Sequence, residues 1–530
     1  MVISAWWRQY SKLVGVVVLA AILVVMYSDF SWGLPWRFNS PDEAANAFFA
    51  QRLAQGESLA APAGLNDITQ NPIVHPRSAR VVNSQLAPAS FLGLPLMLGF
   101  VGRLAGEAVL PYLTPLGAIL GLLCFYGMVR ELSSRRAAWL ATGLLIFTPA
   151  FWYYHSRAFF HNALFFDFLL LAVYLLLKAL KGKKVWLYLG SGLALGLALS
   201  LRTSEVFWIT AAGALWLGLS WRQVTWRYLP LFMLGALLSF SPVLFTNYQI
   251  YGSILSVGYK QDLLLTSDLK QAIGLLQQLV LPFGLHPRVI LTTVTNYLVE
   301  LTWWWAVLAA AGIVYFLAAW RKQSSQAKVF ASAVLVMCVW LVVVYGSWQF
   351  NDNPDPSAVT LGTSYVRYWL PLYGLLLWPA GVALARVLDF KWGREITVAV
   401  VGGYIVLSGL LVWWEPQEGL WAVKENVNRF QVWSQEVQAV TEPNSVIVSG
   451  ITDKIFWPER EVVYALVNPV DYEAIHKLLV NNIPVYWFHP TWRPADITTM
   501  NTRLSPYGLT VATKQIGWQD FSLYQFGFTP

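Results

Sequence analysis

The chain has 530 residues, of which 57% are hydrophobic and 12% are charged, and its mean hydropathy is +0.51. Soluble domains carry about 25% charged residues, so the composition excludes a soluble globular protein and indicates that most of the chain lies in lipid. The net charge is +8. The basic residues stand at the ends of apolar segments, with no basic run interleaved with aromatics, which excludes a nucleic-acid partner.

The first apolar segment, LVGVVVLAAILVVMY, follows Arg8 and Lys12. No small-x-small cleavage site follows it, so we interpret it as an uncleaved first membrane helix. The two cysteines, Cys124 and Cys338, lie within apolar stretches. A disulfide or a cysteine-based metal framework is therefore not expected.

Further apolar stretches are long enough to cross a hydrocarbon core of about 30 Å. The predicted spans lie near 13–30, 86–129, 137–154, 158–178, 185–201, 204–220, 228–246, 296–319, 328–347, 366–388 and 396–414. The stretch 86–129 is too long for one span and too short for three, so we expect one net crossing, with part of 86–104 lying along the interface or re-entering. The predicted fold is mainly α and polytopic, with about 11–13 spans.

From about residue 418 the pattern changes to short strands. SVIVSG, EVVYALV, IPVYWF, LTVATKQ and FSLYQF are typical of strands, and VDYEAIHKLLVNN predicts a helix. The sequence thus predicts a transmembrane domain over 1–417 and a small α/β domain over 418–530, without a Gly-rich phosphate motif. In the small domain Trp457, Trp487 and Trp492 either bind acceptor or carbohydrate or fill the core, and the core interpretation is preferred.

Basic clusters indicate the orientation. Five of them fall on one side if the N-terminus is cytoplasmic, as expected for an integral protein of the inner or plasma membrane. The loops 31–85, 247–290 and 349–365 and the C-terminal domain are then extracytoplasmic. Because the unusual polar residues collect on that face, we expect the protein to act there.

The stretch NSPDEAANAFFAQRL places Asp42 and Glu43 in the first external loop. One interpretation is a helix start, with Ser40 as the cap and the acids favoured by the helix dipole. The other is that this short helix lies on the outer membrane surface, with Phe48 and Phe49 on its apolar side, and holds Asp42 as a general base. The two interpretations are compatible, because a helix is a rigid platform for a catalytic group.

Three longer stretches, together with this acidic pair, carry a family resemblance. They are RAAWLATGLLIFTPAFWYYHSRAFFHNALFFDFLLLAVYLLL, GSGLALGLALSLRTSEVFWI and SYVRYWLPLYGLLL. In their order along the chain, and in the side of the membrane on which they are predicted to lie, these stretches resemble the GT-C-fold membrane glycosyltransferases that use polyprenyl-phosphate sugars. Protein O-mannosyltransferases and the lipid A aminoarabinose transferase are examples. The resemblance covers roughly residues 10–390. The family often has Pro-Asp where this chain has His161–Asn162, so no carboxylate role is carried over there.

The resemblance implies a hexosyl- or pentosyltransferase. Such an enzyme would transfer a sugar from a polyprenyl-phosphate donor to a hydroxyl of a glycan, lipid or protein acceptor, with inversion. It also implies that Asp42 is the catalytic base and that Glu43 orients the acceptor or assists with charge.

Three arginines, Arg157, Arg202 and Arg367, stand at the predicted outer ends of spans. Each alone is explained by snorkelling to the headgroups. Three on the catalytic side suggest a clamp for the donor phosphate, since a guanidinium binds phosphate oxygens bidentately. Tyr365 and Tyr368 flank Arg367 as further donor or lipid contacts. The second-choice phosphate contacts are Lys260, His286 and Arg288.

His155 and His161, with His75, are weak candidates for a metal site, because their spacing matches no metal motif. We predict no certain cofactor and keep a divalent metal as the alternative. The rival functions are a ligase or polymerase that moves a whole lipid-linked glycan, a lipid-glycan transporter or flippase, and a non-catalytic scaffold. The clustering of polar residues at one boundary, without an internal repeat, disfavours a transporter.

Overall fold

The computed structural model describes residues 2–254, 258, 280–350, 353, 355, 357–512, 516–518 and 520–529. The chain forms two compact units. The first comprises Met1–Trp32, Pro111–Val243 and Leu264–Val423, and the second comprises Gly33–Leu110, Leu244–Leu263 and Lys424–Pro530.

The first unit is helical. Its helices are Val2–Ser28, Leu113–Leu132, Arg135–Ile146, Pro149–Ser156, His161–Gly182, Val185–Leu201, Val206–Ser220, Leu229–Tyr251, Pro287–Val294, Trp303–Ala318, Ser325–Gly346, Ser364–Tyr368, Leu370–Leu375, Leu377–Val387 and Gly393–Trp414.

Among the described residues, 7 helices are long and apolar enough to cross a membrane, or up to 9 if each of two bent pairs is one span. The bent pairs are Val185–Leu201 with Thr203–Ser220, at 117°, and Pro287–Glu300 with Trp303–Ala318, at 97°. This confirms the predicted mainly α, polytopic fold and makes the chain a multi-pass integral membrane protein.

The predicted stretches 86–129 and 137–154 are among those that the structure divides. The composite 86–129 contains the helices Gly93–Ala105 and Leu113–Leu132, joined by a 3-10 segment. The stretch 137–154 is split between Arg135–Ile146 and Pro149–Ser156. The break falls at Pro149, which has no N–H to continue the first helix but is favoured at the first position of the next.

The second unit contains both sheets. Its strands are β1 Ala61–Pro62, β2 Ala79–Val82, β3 Gln85–Pro88, β4 Val446–Val448, β5 Glu461–Val463, β6 Val485–Pro490, β7 Leu509–Val511, β8 Ile516–Gly517 and β9 Phe521–Phe528. Each C-terminal stretch predicted as a strand contains one, and the predicted helix is Pro469–Val480. The other helices are Pro41–Ala54, Leu65–Thr69, Gly93–Ala105, Leu420–Val440, Asp453–Phe456 and Pro494–Leu504.

The smaller sheet is antiparallel in the order β1-β3-β2. The larger sheet has the order β5-β4-β6-β9-β7, and β8 also pairs with β9. β4 is parallel to β5 and to β6, as the intervening helices allow, and β9 is antiparallel to each of its partners. The small C-terminal α/β fold is therefore confirmed.

The segment 33–110 packs with the C-terminal sheet within the second unit. Phe49 is buried in one core cluster with Ile447, Trp457 and Phe488, and the ring of Phe48 lies 4.3 Å from that of Trp457. The compact units therefore group residues 33–110 with the C-terminal residues, across the predicted boundary after residue 417. Phe48 and Phe49 pack on protein, in contrast to the prediction that they face the membrane. The sequence could not distinguish the two surfaces, because an apolar pair is suited to either.

The predicted core role of the C-terminal tryptophans agrees with their burial. Trp457 and Trp487 are buried. The ring of Trp487 stacks on Phe526 at 5.2 Å, and Trp492 lies edge-on to Trp487 at 5.0 Å. These rings stabilise the small domain.

An ion pair joins the first loop to the C-terminal residues within the second unit. The Arg77 guanidinium donates to the carboxylate of Asp453 at 2.7 and 2.9 Å, and the Arg77 backbone N–H donates to it at 2.6 Å. The Asp453 side chain is fully buried. A buried carboxylate is tolerated only when it is paired and hydrogen-bonded.

Asp453→Ala is expected to destabilise the protein by roughly 3 kcal/mol, because it leaves the guanidinium without its buried partner. Denaturant titration of the purified protein in detergent measures this change. Glu57→Ala is the matched control, since it removes the surface pair of Arg52 and Glu57 (2.6 Å), which contributes about 1 kcal/mol or less. Equal losses in the two variants would contradict the prediction.

Candidate active site

Arg157 follows directly on the short helix Pro149–Ser156, which we call the aromatic helix. Its guanidinium donates to the Tyr153 hydroxyl at 2.6 Å and lies over the rings of Tyr153 and Phe160, at 5.2 and 4.9 Å. Arg157 is 2% exposed, so its side chain is held inside the protein and does not extend to the headgroups.

Arg367 lies over the same Phe160 ring, at 5.2 Å from its centroid, although it is far from Arg157 in sequence. Its guanidinium also donates to the Ser364 hydroxyl at 2.6 Å. The Asn162 amide donates to the Arg367 carbonyl at 3.0 Å. Arg367 is half-buried, and it is the more accessible of the two.

Arg202 shares the ring of Tyr368 with Arg367. The guanidinium carbon of Arg202 lies 4.4 Å from the centroid of the Tyr368 ring, and that of Arg367 lies 5.3 Å from it. Cation–π contacts of this kind are worth about 0.5–2 kcal/mol each. The structure therefore brings together the three predicted arginines, which we call the arginine cluster.

Glu205 compensates the charge of Arg202. Its Oε1 accepts from Arg202 Nε and Nη2 at 2.9 and 2.7 Å and from the Tyr345 hydroxyl at 2.6 Å, while Oε2 accepts from the Trp208 indole at 2.5 Å. Arg202 and Glu205 are both buried, and they lie at the break of the bent helix pair. Sequence reasoning missed Glu205, whose only signal was a second charge in SLRTSE.

Glu205→Ala is expected to destabilise the protein by about 3–5 kcal/mol, because it leaves a buried guanidinium without its counter-charge. The unfolding midpoint in detergent is the measurement. Ser204→Ala serves as the control, because it removes only the hydroxyl contacts of Ser204, one of which is a hydrogen bond of 3.3 Å to Glu205. The expected loss of unfolding free energy is about 1 kcal/mol. Similar midpoints for Glu205→Ala and wild type would refute the structural role.

The two predicted tyrosines have different surroundings. The hydroxyl of Tyr365 donates to the Trp348 carbonyl and accepts from the Phe350 backbone N–H at 3.3 Å. Tyr365 therefore fixes the backbone of residues 348–350. Tyr368 is half-buried and its ring stacks on Tyr345 at 4.6 Å. Tyr368 is therefore the member of this pair that contacts the arginine cluster.

Of the histidines named as weak metal candidates, His155 and His161 are buried and His75 is partly exposed. His155 Nε2 lies 3.0 Å from Asp167 Oδ2, and its Nδ1 lies 2.8 Å from the Phe151 carbonyl oxygen. Within the described part of the chain no group of three or more His, Cys, Asp or Glu side chains is placed to hold a metal. Sequence reasoning missed Asp167, an acid inside an apolar span.

Two of the second-choice phosphate contacts, His286 and Arg288, lie elsewhere in the first unit. His286 and Arg288 are exposed at the start of the helix Pro287–Val294. His286 lines a cavity of about 340 Å³ together with the stacked rings of Phe283 and Trp348. Lys260 lies outside the described residues.

Asp42 belongs to the second unit, in the first turn of the helix Pro41–Ala54. It is partly exposed, and its Oδ1 accepts from the Ser78 hydroxyl at 2.5 Å. Ser78 has φ of 61°, a left-handed conformation that is unfavourable for a serine and is often found at functional sites. Ser78 was not singled out from the sequence.

Glu43 is the cap carboxylate of the same helix. Its Oε2 accepts from the Ser40 backbone N–H at 3.1 Å, completing a capping box, and the residue is 3% exposed. The helix-start interpretation therefore accounts for Glu43, whereas Asp42 is the more exposed of the two acids.

The spans and the fold define the class: a polytopic membrane protein with the GT-C fold. The model of the family "Dolichyl-phosphate-mannose-protein mannosyltransferase" matches residues 95–245. No curated protein matches the chain. The resemblance to polytopic glycosyltransferases that use polyprenyl-phosphate sugars is confirmed.

Two solved structures of similar fold come from a bacterium and an archaeon. ArnT from Cupriavidus metallidurans bound to undecaprenyl phosphate has a TM-score of 0.53 at 12% identity, over 97% of this chain and 98% of that one. The oligosaccharyltransferase of Archaeoglobus fulgidus, tethered to an acceptor peptide, has a TM-score of 0.55 at 13% identity, over 92% of this chain and 70% of that one. At these identities the likeness shows the fold.

Proposed function

We propose that the protein is a membrane glycosyltransferase that transfers a sugar from a polyprenyl-phosphate donor to an acceptor hydroxyl on the extracytoplasmic face. The observation that carries the proposal is the arginine cluster, in which Arg157, Arg202 and Arg367 meet on shared aromatic rings. Proteins of similar fold support the proposal. ArnT binds undecaprenyl phosphate, and the oligosaccharyltransferase of Archaeoglobus fulgidus, AglB, binds dolichol phosphate.

The three arginines are assigned different parts. Arg367 is half-buried, so an incoming phosphate reaches it first, and Arg157 faces the same Phe160 ring. We assign phosphate binding to these two, since a planar guanidinium binds phosphate oxygens bidentately. Arg202 is enclosed with Glu205, and we assign it to holding Tyr368 in place.

Asp42 is assigned as the general base. The acceptor hydroxyl gives its proton to Asp42 while its oxygen attacks the anomeric carbon of the donor sugar. The bond from that carbon to the phosphate oxygen breaks, and its electron pair stays on the departing polyprenyl phosphate. A single displacement inverts the anomeric centre. The guanidinium groups stabilise the charge that develops on the leaving phosphate.

Ser78 supports the assignment of Asp42. A hydroxyl that donates to Oδ1 at 2.5 Å fixes the orientation of the carboxylate that is assigned to receive the proton. Glu43 is assigned to the helix cap, in place of a direct part in the chemistry. A hydrogen-bonded ionised carboxylate on the first turn of a helix is stabilised by the helix dipole.

Transfer in proteoliposomes tests the proposed function. The purified protein is supplied with polyprenyl-phosphate sugars on the outer face of sealed vesicles, and glycosylated product and released polyprenyl phosphate are measured. Release of the lipid phosphate in step with product formation is expected. Movement of the donor across the bilayer without any product would instead support the transporter alternative.

A ligase that transfers a whole glycan is the second candidate, favoured by the fold likeness to an oligosaccharyltransferase. Competition between donors carrying one sugar and donors carrying a glycan separates the two functions. The same vesicle assay, with donor supplied on one face at a time, tests the proposed orientation with a cytoplasmic N-terminus.

A further inference from the structure

Two ionisable side chains meet inside the first unit, His155 on the aromatic helix and Asp167 on the helix His161–Gly182. Both side chains are fully buried, and their Nε2 and Oδ2 atoms are 3.0 Å apart. The helix that carries Asp167 is long and apolar enough to cross a membrane. Ionisable residues in such a segment are unfavourable, and they are expected to serve a function.

The hydrogen bonds determine how the pair is protonated. His155 Nδ1 lies 2.8 Å from the Phe151 carbonyl oxygen, which can only accept, so Nδ1 carries a proton. One further proton lies between Nε2 and Oδ2. On either atom it leaves the pair without net charge, which reduces the unfavourable free energy of burial.

The carboxylate of Asp167 is packed closely against the helix Leu113–Leu132. A Cβ atom added at Gly121 would lie 2.0 Å from Asp167 Oδ1, so glycine is required for the helix Leu113–Leu132 to pack there. Oδ1 is buried and has no hydrogen-bond partner within the described residues. Asp167 therefore acts through the one side chain it binds, His155.

The aromatic helix connects this pair to two members of the arginine cluster. Arg157 follows directly on its last residue. Tyr154, on the same helix, donates its hydroxyl to the carbonyls of Leu361 and Thr363 at 2.9 and 3.0 Å, just before the short helix that carries Arg367. A shift of the aromatic helix would therefore move Arg157 relative to Arg367.

We propose that Asp167 is a positioning residue. Through its hydrogen bond to His155 it fixes the aromatic helix, and so sets the spacing of Arg157 and Arg367 for the donor phosphate. The inference rests on the proposed function for the identity of that anion. The hydrogen-bond link from Asp167 to the aromatic helix is independent of it.

Asp167→Ala and Asp167→Asn are compared in lipid nanodiscs by two measurements. The first is the affinity for undecaprenyl phosphate, and the second is amide hydrogen exchange over residues 149–157 and 361–367. Asp167→Ala is expected to weaken the affinity about 3- to 30-fold and to speed exchange in both segments. Asp167→Asn keeps a hydrogen bond, from its amide to Nε2, and is expected to stay within about twofold of wild type.

Ser191→Ala is the matched control, because it removes another buried interhelical hydrogen bond, 2.8 Å from Ser191 Oγ to the Ala172 carbonyl. No change in affinity is expected for it. If Asp167→Ala does not fold, the double variant His155→Phe with Asp167→Ala replaces it, since that variant leaves no buried polar group of the pair unpaired.

The outcomes separate the two proposals. Unchanged exchange in Asp167→Ala, or equal effects in Asp167→Ala and Ser191→Ala, overturns the positioning role. An Asp167→Asn variant as weak as Asp167→Ala overturns it too, because the hydrogen bond would then not suffice. If wild type fails to bind undecaprenyl phosphate while exchange rises as expected, the proposed phosphate site fails and the link to the aromatic helix stands.

Discussion

Asp42→Asn is expected to lower the rate of sugar transfer by roughly 10²–10⁴-fold, the usual effect of removing a general base. The amide fits the same space and still accepts from Ser78, so folding and donor affinity should be unchanged. Single-turnover transfer in proteoliposomes measures the chemical step, and binding of undecaprenyl phosphate measures the donor affinity separately.

Asp67→Asn is the matched control for this variant. Asp67 lies in the same loop and also accepts from a serine hydroxyl at 2.5 Å, that of Ser84, but it has no assigned part in the reaction. Its transfer rate should equal that of wild type. A normal rate for Asp42→Asn would remove Asp42 from the mechanism, and a loss confined to donor affinity would assign it to binding.

Glu43→Gln distinguishes the neighbouring acid from Asp42. Glu43 caps the helix, and glutamine keeps the acceptor of the capping box but loses the charge that favours the helix N-terminus. This variant is therefore expected to reduce stability by about 0.3–1 kcal/mol, while the transfer rate of the folded protein changes little. A rate loss as large as that of Asp42→Asn would return Glu43 to the catalytic machinery.

Arg367→Ala is expected to weaken binding of undecaprenyl phosphate by roughly 10- to 100-fold, because hydrogen bonds to charged groups contribute about 1.5–3 kcal/mol. Arg367→Lys should recover only part of the affinity, since lysine keeps the charge but loses the planar fork and the ring stacking. Equilibrium binding in nanodiscs, repeated at two salt concentrations, is the measurement.

Arg386→Ala provides the control for Arg367. Arg386 is an exposed arginine in the same unit and pairs with Asp389 at 2.8 Å, so its removal should leave the affinity unchanged. Equal effects of the two variants would indicate nonspecific attraction of the anion. An unchanged affinity in Arg367→Ala would contradict the phosphate assignment.

The sequence predicted the parts of the fold that depend on local pattern. Long apolar runs can only be membrane helices, because the backbone must satisfy its own hydrogen bonds in lipid. The C-terminal strands follow from short β-branched and aromatic runs such as SVIVSG. The cap of the helix Pro41–Ala54 was likewise readable from Ser40 and Glu43.

Features that depend on distant residues could not be read in this way. The pairing of Arg77 with Asp453, and the packing of Phe48 on Trp457, join segments hundreds of positions apart. The apolar character of Phe48 suited a membrane surface equally well. A single sequence gives no signal for which of two apolar surfaces a side chain contacts.

By itself, the sequence determined that this is a polytopic membrane protein with a small α/β domain. It also showed that three of the membrane segments end in an arginine. Both conclusions were possible because hydropathy and periodicity are local properties. Only the tertiary structure decided that Arg157, Arg202 and Arg367 share two aromatic rings. It also decided that Glu205 neutralises Arg202 and that Asp167 binds His155. The physical reason is that the charge balance of a buried group depends on which helices pack together, and close helix packing requires small residues such as Gly121 at the contact.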